Sequence, residues 1–176
     1  MSSRLEKGII SLEKKIKDPR KGLPDDIFRF VSRLTPMINV DLMVRDAGKG
    51  ILLAWRDDEF IRGWHLPGGI VRFKESIHDR IRAVARKEIG ASVRFEKGPA
   101  EINEIIRPHE TRGHFISLLY RCSVRASFTL KNGRLKPSDP GYLKWHKKCP
   151  AALVEPQGIY RKLWSGNWKI YEKKRD

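Results

Sequence analysis

The chain has 176 residues, which is enough for one domain of ordinary size with a buried core. Its hydrophobic content of 40% and charged content of 33% are typical of a globular protein. No run of about 18 apolar residues is present, and the N-terminus lacks the apolar core of a secretion signal. We therefore expect no membrane span and a cytoplasmic location. The two cysteines, Cys122 and Cys149, lack metal-ligand spacing and indicate a reducing compartment.

The net charge is +16, from 37 Lys and Arg residues against 21 Asp and Glu residues. This balance predicts attraction to polyanions such as nucleotides, nucleic acids or anionic surfaces. No aromatic-rich module for single-stranded nucleic acid is interleaved with the basic residues. The charge therefore allows nucleic acid as a partner without favouring it, and a general effect on solubility is the simpler explanation.

Two helices are predicted before the first strand. Residues 4–17 carry apolar side chains at helical spacing, and Asp18-Pro19 ends this pattern. Asp25 or Asp26 can cap a second helix over residues 27–34. Such basic amphipathic helices more often pack on a sheet or on a partner subunit than on a membrane.

The rest of the chain reads as a mixed sheet with helices on its faces, which is an α+β or α/β/α architecture. Strands are predicted at residues 37–45, 51–56, 63–66, 92–96, 101–107, 114–125 and 142–146. Residues 151–164 contain a C-terminal helix that is interrupted near Pro156-Gly158. We assign residues 1–35 to an N-terminal helical extension and residues 36–176 to the main domain.

A single amphipathic helix from Ile77 to Gly90 follows a Pro-Gly-Gly turn. At 100° per residue, its apolar side chains form one stripe, made of Ile77, Ile81, Val84 and Ala85. Glu88 falls in the middle of that stripe, where a carboxylate is costly unless a cation or several donors meet it. Either Glu88 turns outward at the helix end, or it binds a partner such as a divalent metal ion.

This stretch resembles the Nudix box, whose pattern is Gly, five residues, Glu, seven residues, then Arg-Glu-aliphatic-x-Glu-Glu-x-Gly-aliphatic. The positions that match are Gly69, Glu75, Glu88, Gly90 and the aliphatic sites. The arginine and two glutamates of the pattern are replaced here by Ala83, Val84 and Lys87. The resemblance implies a Nudix α/β/α sandwich with a degenerate box.

The resemblance covers residues 35–165 and is closest to the GDP-mannose mannosyl hydrolases. Outside the box it rests on three stretches, TPMINVDLMV, GILLAWR and HFISLLYRCSV. In that branch water displaces GDP from carbon 1 of mannose. The resemblance therefore implies a nucleotide-sugar substrate, a Mg²⁺ cofactor and a homodimer.

The site residues follow from the same resemblance, position by position. Glu88 matches the metal carboxylate and Gly68 the main-chain metal ligand. Asp41 matches an acidic active-site residue, Arg56 an arginine that meets the diphosphate, and His109 lies near an active-site histidine. The lost box glutamates exclude a multi-metal cluster on this helix. One Mg²⁺ remains feasible, because this ion commonly uses one or two carboxylates plus substrate phosphates.

Several positions depart from the branch. Ile70 and Ala83 stand where it has arginines, and Arg72 or Arg82 could supply compensating charge. Glu75 either binds the metal or accepts hydrogen bonds from backbone amides before the helix, and the second is favoured. Residues 154–164 lack the histidine that the branch uses as general base.

The general base is unassigned from the sequence. The alternatives are His146, His109, His114, Glu110 and Asp41, with His65 and His78 as weaker candidates. Two other functions therefore stay open beside hydrolysis of a nucleoside-diphosphate sugar such as GDP-mannose. One is a non-catalytic domain that binds nucleotide or nucleic acid, and the other is a pyrophosphohydrolase of nucleoside diphosphate derivatives.

Overall fold

The structure is a computed structural model that describes residues 3–165. Its α-helices are α1 (Arg4–Glu13), α2 (Asp25–Ser32) and α3 (Ile77–Val84). Its strands are β1 (Met37–Asp46), β2 (Gly50–Asp57), β3 (Arg62–His65), β4 (Gly68–Ile70), β5 (Arg94–Phe95), β6 (Glu101–Ile106), β7 (His114–Ser123) and β8 (Leu143–His146). Two 3-10 segments, Pro19–Lys21 and Glu155–Trp164, and a π-helical turn, Ala85–Ile89, complete the list. Residues 166–176 of the proposed main domain lie outside the described residues.

All eight strands belong to one mixed sheet, in which β1 is central. β1 runs parallel to β7 over residues 37–44 and antiparallel to its other neighbours. Its hairpin partner β2 pairs with it only at residues 45–46, so the first half of the same edge accepts β4. This pairing places Gly68 directly opposite Asp41 and brings the Pro-Gly-Gly turn beside the centre of the sheet.

The sheet has a hydrophobic cluster on each face. Along β1, Val40 and Leu42 are fully buried with residues of the box helix such as Ile81. Met43 points to the other face and packs with Tyr160 of the C-terminal 3-10 segment. Because side chains alternate across a strand, a strand with both faces covered requires helical layers on both sides. The predicted α/β/α sandwich with a mixed sheet is confirmed.

The box helix changes type before its end. Ser76 begins α3 by accepting a hydrogen bond from the Asp79 amide at 3.0 Å. After Val84 the backbone widens into the π-helical turn, and Gly90 ends it with a left-handed φ of 71°. Single π-turns inside helices are frequent at functional sites. This turn carries Glu88, so the backbone irregularity lies at the predicted metal ligand.

Three details of the predicted elements are wrong. The first helix ends at Glu13 rather than at residue 17, and none of its residues is buried. Neither Asp25 nor Asp26 is the N-cap of α2, because the helix already begins at Asp25 after Pro24. Both carboxylates instead lie in the first turn, where the helix dipole favours negative charge. The C-terminal segment is not interrupted near Pro156, since proline is tolerated in a first helical turn.

The N-terminal extension contacts the loops of the main domain through α2. Arg29 forms an ion pair with Glu59 at 3.1 Å, and the Arg112 amide donates to Ser32 Oγ at 3.2 Å. The boundary at residue 35 remains our proposal. Within residues 3–165, no helix combines the length and the apolar character needed to cross a bilayer.

Candidate functional site

The residues that the sequence singled out converge on one cavity of about 710 Å³ beside the β1–β4 pairing. Its walls include all five of them, Asp41, Arg56, Gly68, Glu88 and His109. His65 also lines this cavity, whereas His114 and His146 do not. The structure therefore brings the predicted residues together, and their chemical roles remain predictions.

Glu88 faces this cavity rather than turning outward at the helix end. Its Oε2 accepts a hydrogen bond from the Gly68 amide at 3.2 Å. Burial raises the pKa of Glu88 to about 7, although the Gly68 amide and the charges of Lys87 and Arg56 act in the opposite direction. Near neutral pH the neighbouring groups therefore offset only part of the cost of burying the charged carboxylate. An added cation would stabilise its charged form.

Gly68 is held too closely for any larger residue. A Cβ atom at this position would lie 2.5 Å from Asp41 Oδ1 and 2.8 Å from the Val40 carbonyl oxygen. The turn therefore needs glycine for close approach rather than for an unusual backbone angle. Its amide faces Glu88, which joins the turn to the end of the box helix.

Asp41 forms the floor of the cavity and is only 2% exposed. Its Oδ2 accepts hydrogen bonds from Ser117 Oγ at 2.5 Å and from Tyr160 Oη at 2.8 Å. Its Oδ1 accepts from Asn39 Nδ2 at 2.9 Å and from Gln157 Nε2 at 3.2 Å. Burial raises the pKa of Asp41, and these four donors oppose that rise. The carboxyl group ties β1 to β7 and to the C-terminal 3-10 segment.

The two histidines of the cavity favour opposite neutral tautomers. His65 Nδ1 lies 2.8 Å from the Leu66 carbonyl oxygen, which can only accept, so the neutral ring leaves Nε2 as a free acceptor. Burial and the charge of Arg56 lower the pKa of His65 to about 4, which keeps it neutral at pH 7. In His109, Nδ1 accepts the Thr111 amide at 3.2 Å, so the neutral ring carries its proton on Nε2. His65 can accept a proton, and neutral His109 can donate a hydrogen bond.

Three arginines give the cavity a positive wall. Arg56 Nε pairs with Asp58 at 2.6 Å, and Arg107 Nε pairs with Glu155 at 3.2 Å. Arg112 lies in the loop between β6 and β7, and its guanidinium lies over the Phe28 and Phe60 rings. Lysines add to this charge, at Lys87 and Lys131. Such a surface favours an anionic ligand. Sequence reasoning found Arg56 and missed the other two arginines.

Glu75 is held by protein donors, as the favoured interpretation predicted. It accepts the Arg72 amide at 3.0 Å and two bonds from Arg80, at 2.6 and 2.8 Å. Arg80 is 8% exposed and lies one turn before Ala83, where the box pattern has its arginine. Arg82 instead pairs with Asp79 at the surface. Arg80, which the sequence analysis did not name, therefore supplies the cation beside the box glutamate.

One metal ion fits this site better than a cluster of ions does. No three His, Cys, Asp or Glu side chains within residues 3–165 are grouped so that they could hold a metal together. Asp41 already accepts four hydrogen bonds. Glu88 accepts one, from the Gly68 amide, and is therefore the better metal ligand of the two carboxylates. Because Mg²⁺ commonly combines one or two carboxylates with substrate phosphates, an ion shared with a bound diphosphate suits these residues.

Solved structures share this fold. A possible asymmetric diadenosine tetraphosphate hydrolase from Jonesia denitrificans aligns with a TM-score of 0.56 and 22% identity, over 74% of this chain and 92% of that one. A MutT Nudix hydrolase from Burkholderia pseudomallei gives 0.55 and 18%, over 73% and 98%. A Nudix-family hydrolase from Clostridium perfringens gives 0.54 and 14%, over 74% and 97%. The mixed sheet and its two helical layers are therefore those of the Nudix fold.

One protein that is similar in sequence is named for glycan biosynthesis. The low-salt glycan biosynthesis protein Agl8 of Haloferax volcanii is 27% identical over 136 residues, which is 73% of this chain and 86% of that protein. No family model matches the chain.

Proposed function

We propose that the protein hydrolyses a nucleoside-diphosphate sugar with Mg²⁺, and that GDP-mannose is the first substrate to test. In this reaction water attacks the anomeric carbon of the sugar, and the nucleoside diphosphate leaves. One observation carries the proposal: in this cavity Glu88, a box carboxylate that accepts one hydrogen bond from a backbone amide, lies together with three arginines. The name of the Haloferax relative, a glycan biosynthesis protein, supports a substrate that belongs to sugar metabolism.

The charge pattern favours attack at carbon over attack at phosphorus. Water attack on a diphosphate commonly uses two metal ions that stabilise the attacking and leaving oxygens, and these need several carboxylates. Displacement at the sugar instead needs neutralisation of a departing diphosphate. Glu88 and the Gly68 carbonyl would hold one Mg²⁺, which supplies positive charge to the leaving group. Arg56, held by Asp58 along the cavity wall, supplies the second positive charge.

His65 is the proposed acceptor of the water proton. As water forms its bond to the anomeric carbon, the bond from that carbon to the diphosphate oxygen breaks, and the water proton passes to His65 Nε2. Burial and, to a lesser extent, the charge of Arg56 lower the pKa of His65. A bound diphosphate would offset the charge of Arg56 and make the imidazole more basic. His109 donates from Nε2 to the sugar or to the leaving group, while Asp41 holds the cavity floor beside the sugar.

Turnover of GDP-mannose by the wild type and Glu88→Gln tests the proposal. The wild type should release GDP with Mg²⁺ and lose activity with EDTA. The substitution should lower kcat by about a hundredfold or more, since it removes the charge that holds the ion. Glu13→Gln makes the same chemical change on the exposed helix α1 and serves as the control. Equal turnover by Glu88→Gln and the wild type would rule out this assignment.

The products distinguish the two other functions. Sugar phosphate plus nucleoside monophosphate would identify a pyrophosphohydrolase that recruits ligands from outside the box. Binding of GDP without turnover across a panel of nucleotide sugars and dinucleotides would identify a non-catalytic nucleotide-binding domain.

A further inference from the structure

Arg112 differs from the other arginines of the cavity in how its charge is compensated. Arg56 and Arg107 each pair with a carboxylate, Asp58 and Glu155 respectively. No carboxylate of the described residues forms a salt bridge with Arg112, whose guanidinium carbon lies 5.0 Å from the centre of the Phe60 ring. Aromatic faces orient a guanidinium while leaving its N–H groups available for hydrogen bonds.

The surroundings of Arg112 also disfavour its positive charge. Burial and the charge of Arg56 lower the pKa of Arg112, and the charge of Arg107 adds to this effect, while the charges of Asp58 and Asp25 act in the opposite direction. A guanidinium stays protonated in proteins. The repulsion is therefore a cost that an anionic ligand between these side chains would remove.

The backbone of Arg112 is strained and fixed by neighbouring elements. Its φ is 55°, a left-handed conformation that costs energy for residues other than glycine. The Arg112 amide donates to Ser32 Oγ at 3.2 Å, and that hydroxyl donates in turn to the Arg29 carbonyl oxygen at 2.9 Å. Phe28, also from α2, lies 5.8 Å from the guanidinium carbon. Strain of this kind persists where the surrounding structure enforces it, often at ligand sites.

We infer that Arg112 binds one phosphate of a diphosphate ligand together with Arg56, and that α2 positions Arg112 through Phe28 and Ser32. Two mutually repelling guanidinium groups suit a ligand with two adjacent anionic groups better than one with a single anionic group. The N-terminal extension is then part of the binding site. This inference rests on the proposed function for the identity of the ligand as a nucleoside diphosphate.

Calorimetric titration in EDTA with GDP, GMP and guanosine tests the binding role. Arg112→Gln should weaken GDP binding by about tenfold or more, weaken GMP binding less, and leave guanosine binding unchanged. Arg112→Lys should fall between wild type and Arg112→Gln, because lysine keeps the charge and loses the planar fork. Arg45→Gln removes the same charge from an exposed site at the hairpin end of β1 and should match the wild type.

The positioning role has its own variants. Phe28→Leu removes the aromatic face and should weaken GDP binding by about threefold. Phe28→Tyr keeps the aromatic face and should bind GDP as the wild type does. Thermal melting of each variant checks that it is folded. Equal GDP binding by Phe28→Leu and the wild type would overturn the role of α2.

Three results would overturn the binding role. They are a GDP affinity of Arg112→Gln equal to that of the wild type, a loss of guanosine affinity as large as the loss of GDP affinity, and no GDP binding by the wild type. The proposed function fails separately. GDP binding that depends on Arg112, without hydrolysis of any nucleotide sugar, would remove the hydrolase proposal and leave this inference standing. Hydrolysis that Arg112→Gln does not affect in either KM or kcat would remove only this inference.

Discussion

Replacing Glu88 with glutamine should stabilise the metal-free protein at neutral and alkaline pH. Burial raises the pKa of Glu88 from 4.5 to about 7 in the folded state. Between these two values the folded state binds more protons than the unfolded state, so stability falls as pH rises. The cost of ionising buried Glu88 begins near its pKa in the unfolded state and is fully present above its pKa in the folded state. Glutamine is neutral and can still accept the Gly68 amide, so the cost disappears.

The size of the effect follows from the pKa difference. At pH 8 the pKa shift predicts that Glu88→Gln is more stable than the wild type by about 3 kcal/mol, and at pH 5 by less than about 1 kcal/mol. For a domain of this size, the gain at pH 8 raises the Tm by about 6–12 °C. The same substitution should abolish metal-dependent turnover, so stability and activity would change in opposite directions.

Urea denaturation in EDTA at pH 5 and pH 8 measures this difference. Glu13→Gln, on an exposed surface of α1, should show no comparable gain at either pH. If Glu88→Gln were no more stable than the wild type at pH 8, or gained equally at both pH values, the reasoning about its burial would be refuted.

Four further substitutions test other residues of the site and its surroundings. Arg80→Ala breaks the buried pair with Glu75 and should cost about 3–5 kcal/mol, whereas Arg82→Ala, which breaks an exposed pair, should cost less than about 1 kcal/mol. Urea denaturation compares them, and similar costs would contradict the importance of burial. Tyr160→Phe removes a donor to Asp41 and should lower stability by about 1–3 kcal/mol, again by denaturation; no loss would mean that this bond is not needed. His65→Gln should lower kcat with little change in KM, and unchanged kcat would remove His65 as the base.

The strands and helices follow from local sequence patterns, and the site residues follow from the resemblance to a known family. The apolar stripe of the box helix placed Glu88 at an inward position but left open whether its side chain turns outward, and the alternation along β1 predicted a strand. Gly68 was assigned through the resemblance to the GDP-mannose mannosyl hydrolases, as were Asp41, Arg56 and His109. The helix stripe and the strand alternation depend on neighbours within a few residues, which is the range over which periodicity carries information.

Several of the missed residues reach the site from distant parts of the chain. Tyr160 contacts Asp41 across 119 residues, and Gln157 contacts it across 116. The Arg112 amide donates to Ser32 of α2, which lies 80 residues earlier in the chain. No local pattern marks such contacts, because they depend on how the elements pack. The π-turn around Glu88 was missed for a related reason, since a helical repeat does not reveal a widened turn.

The central claim is attack by water at the sugar carbon of a nucleoside-diphosphate sugar. Hydrolysis of GDP-mannose with Mg²⁺ in oxygen-18 water, followed by mass spectrometry of the products, tests this claim most directly. We predict label in free mannose and unlabelled GDP. Label in a phosphate group, with GMP and mannose phosphate as products, would contradict the claim and show that the site still attacks phosphorus.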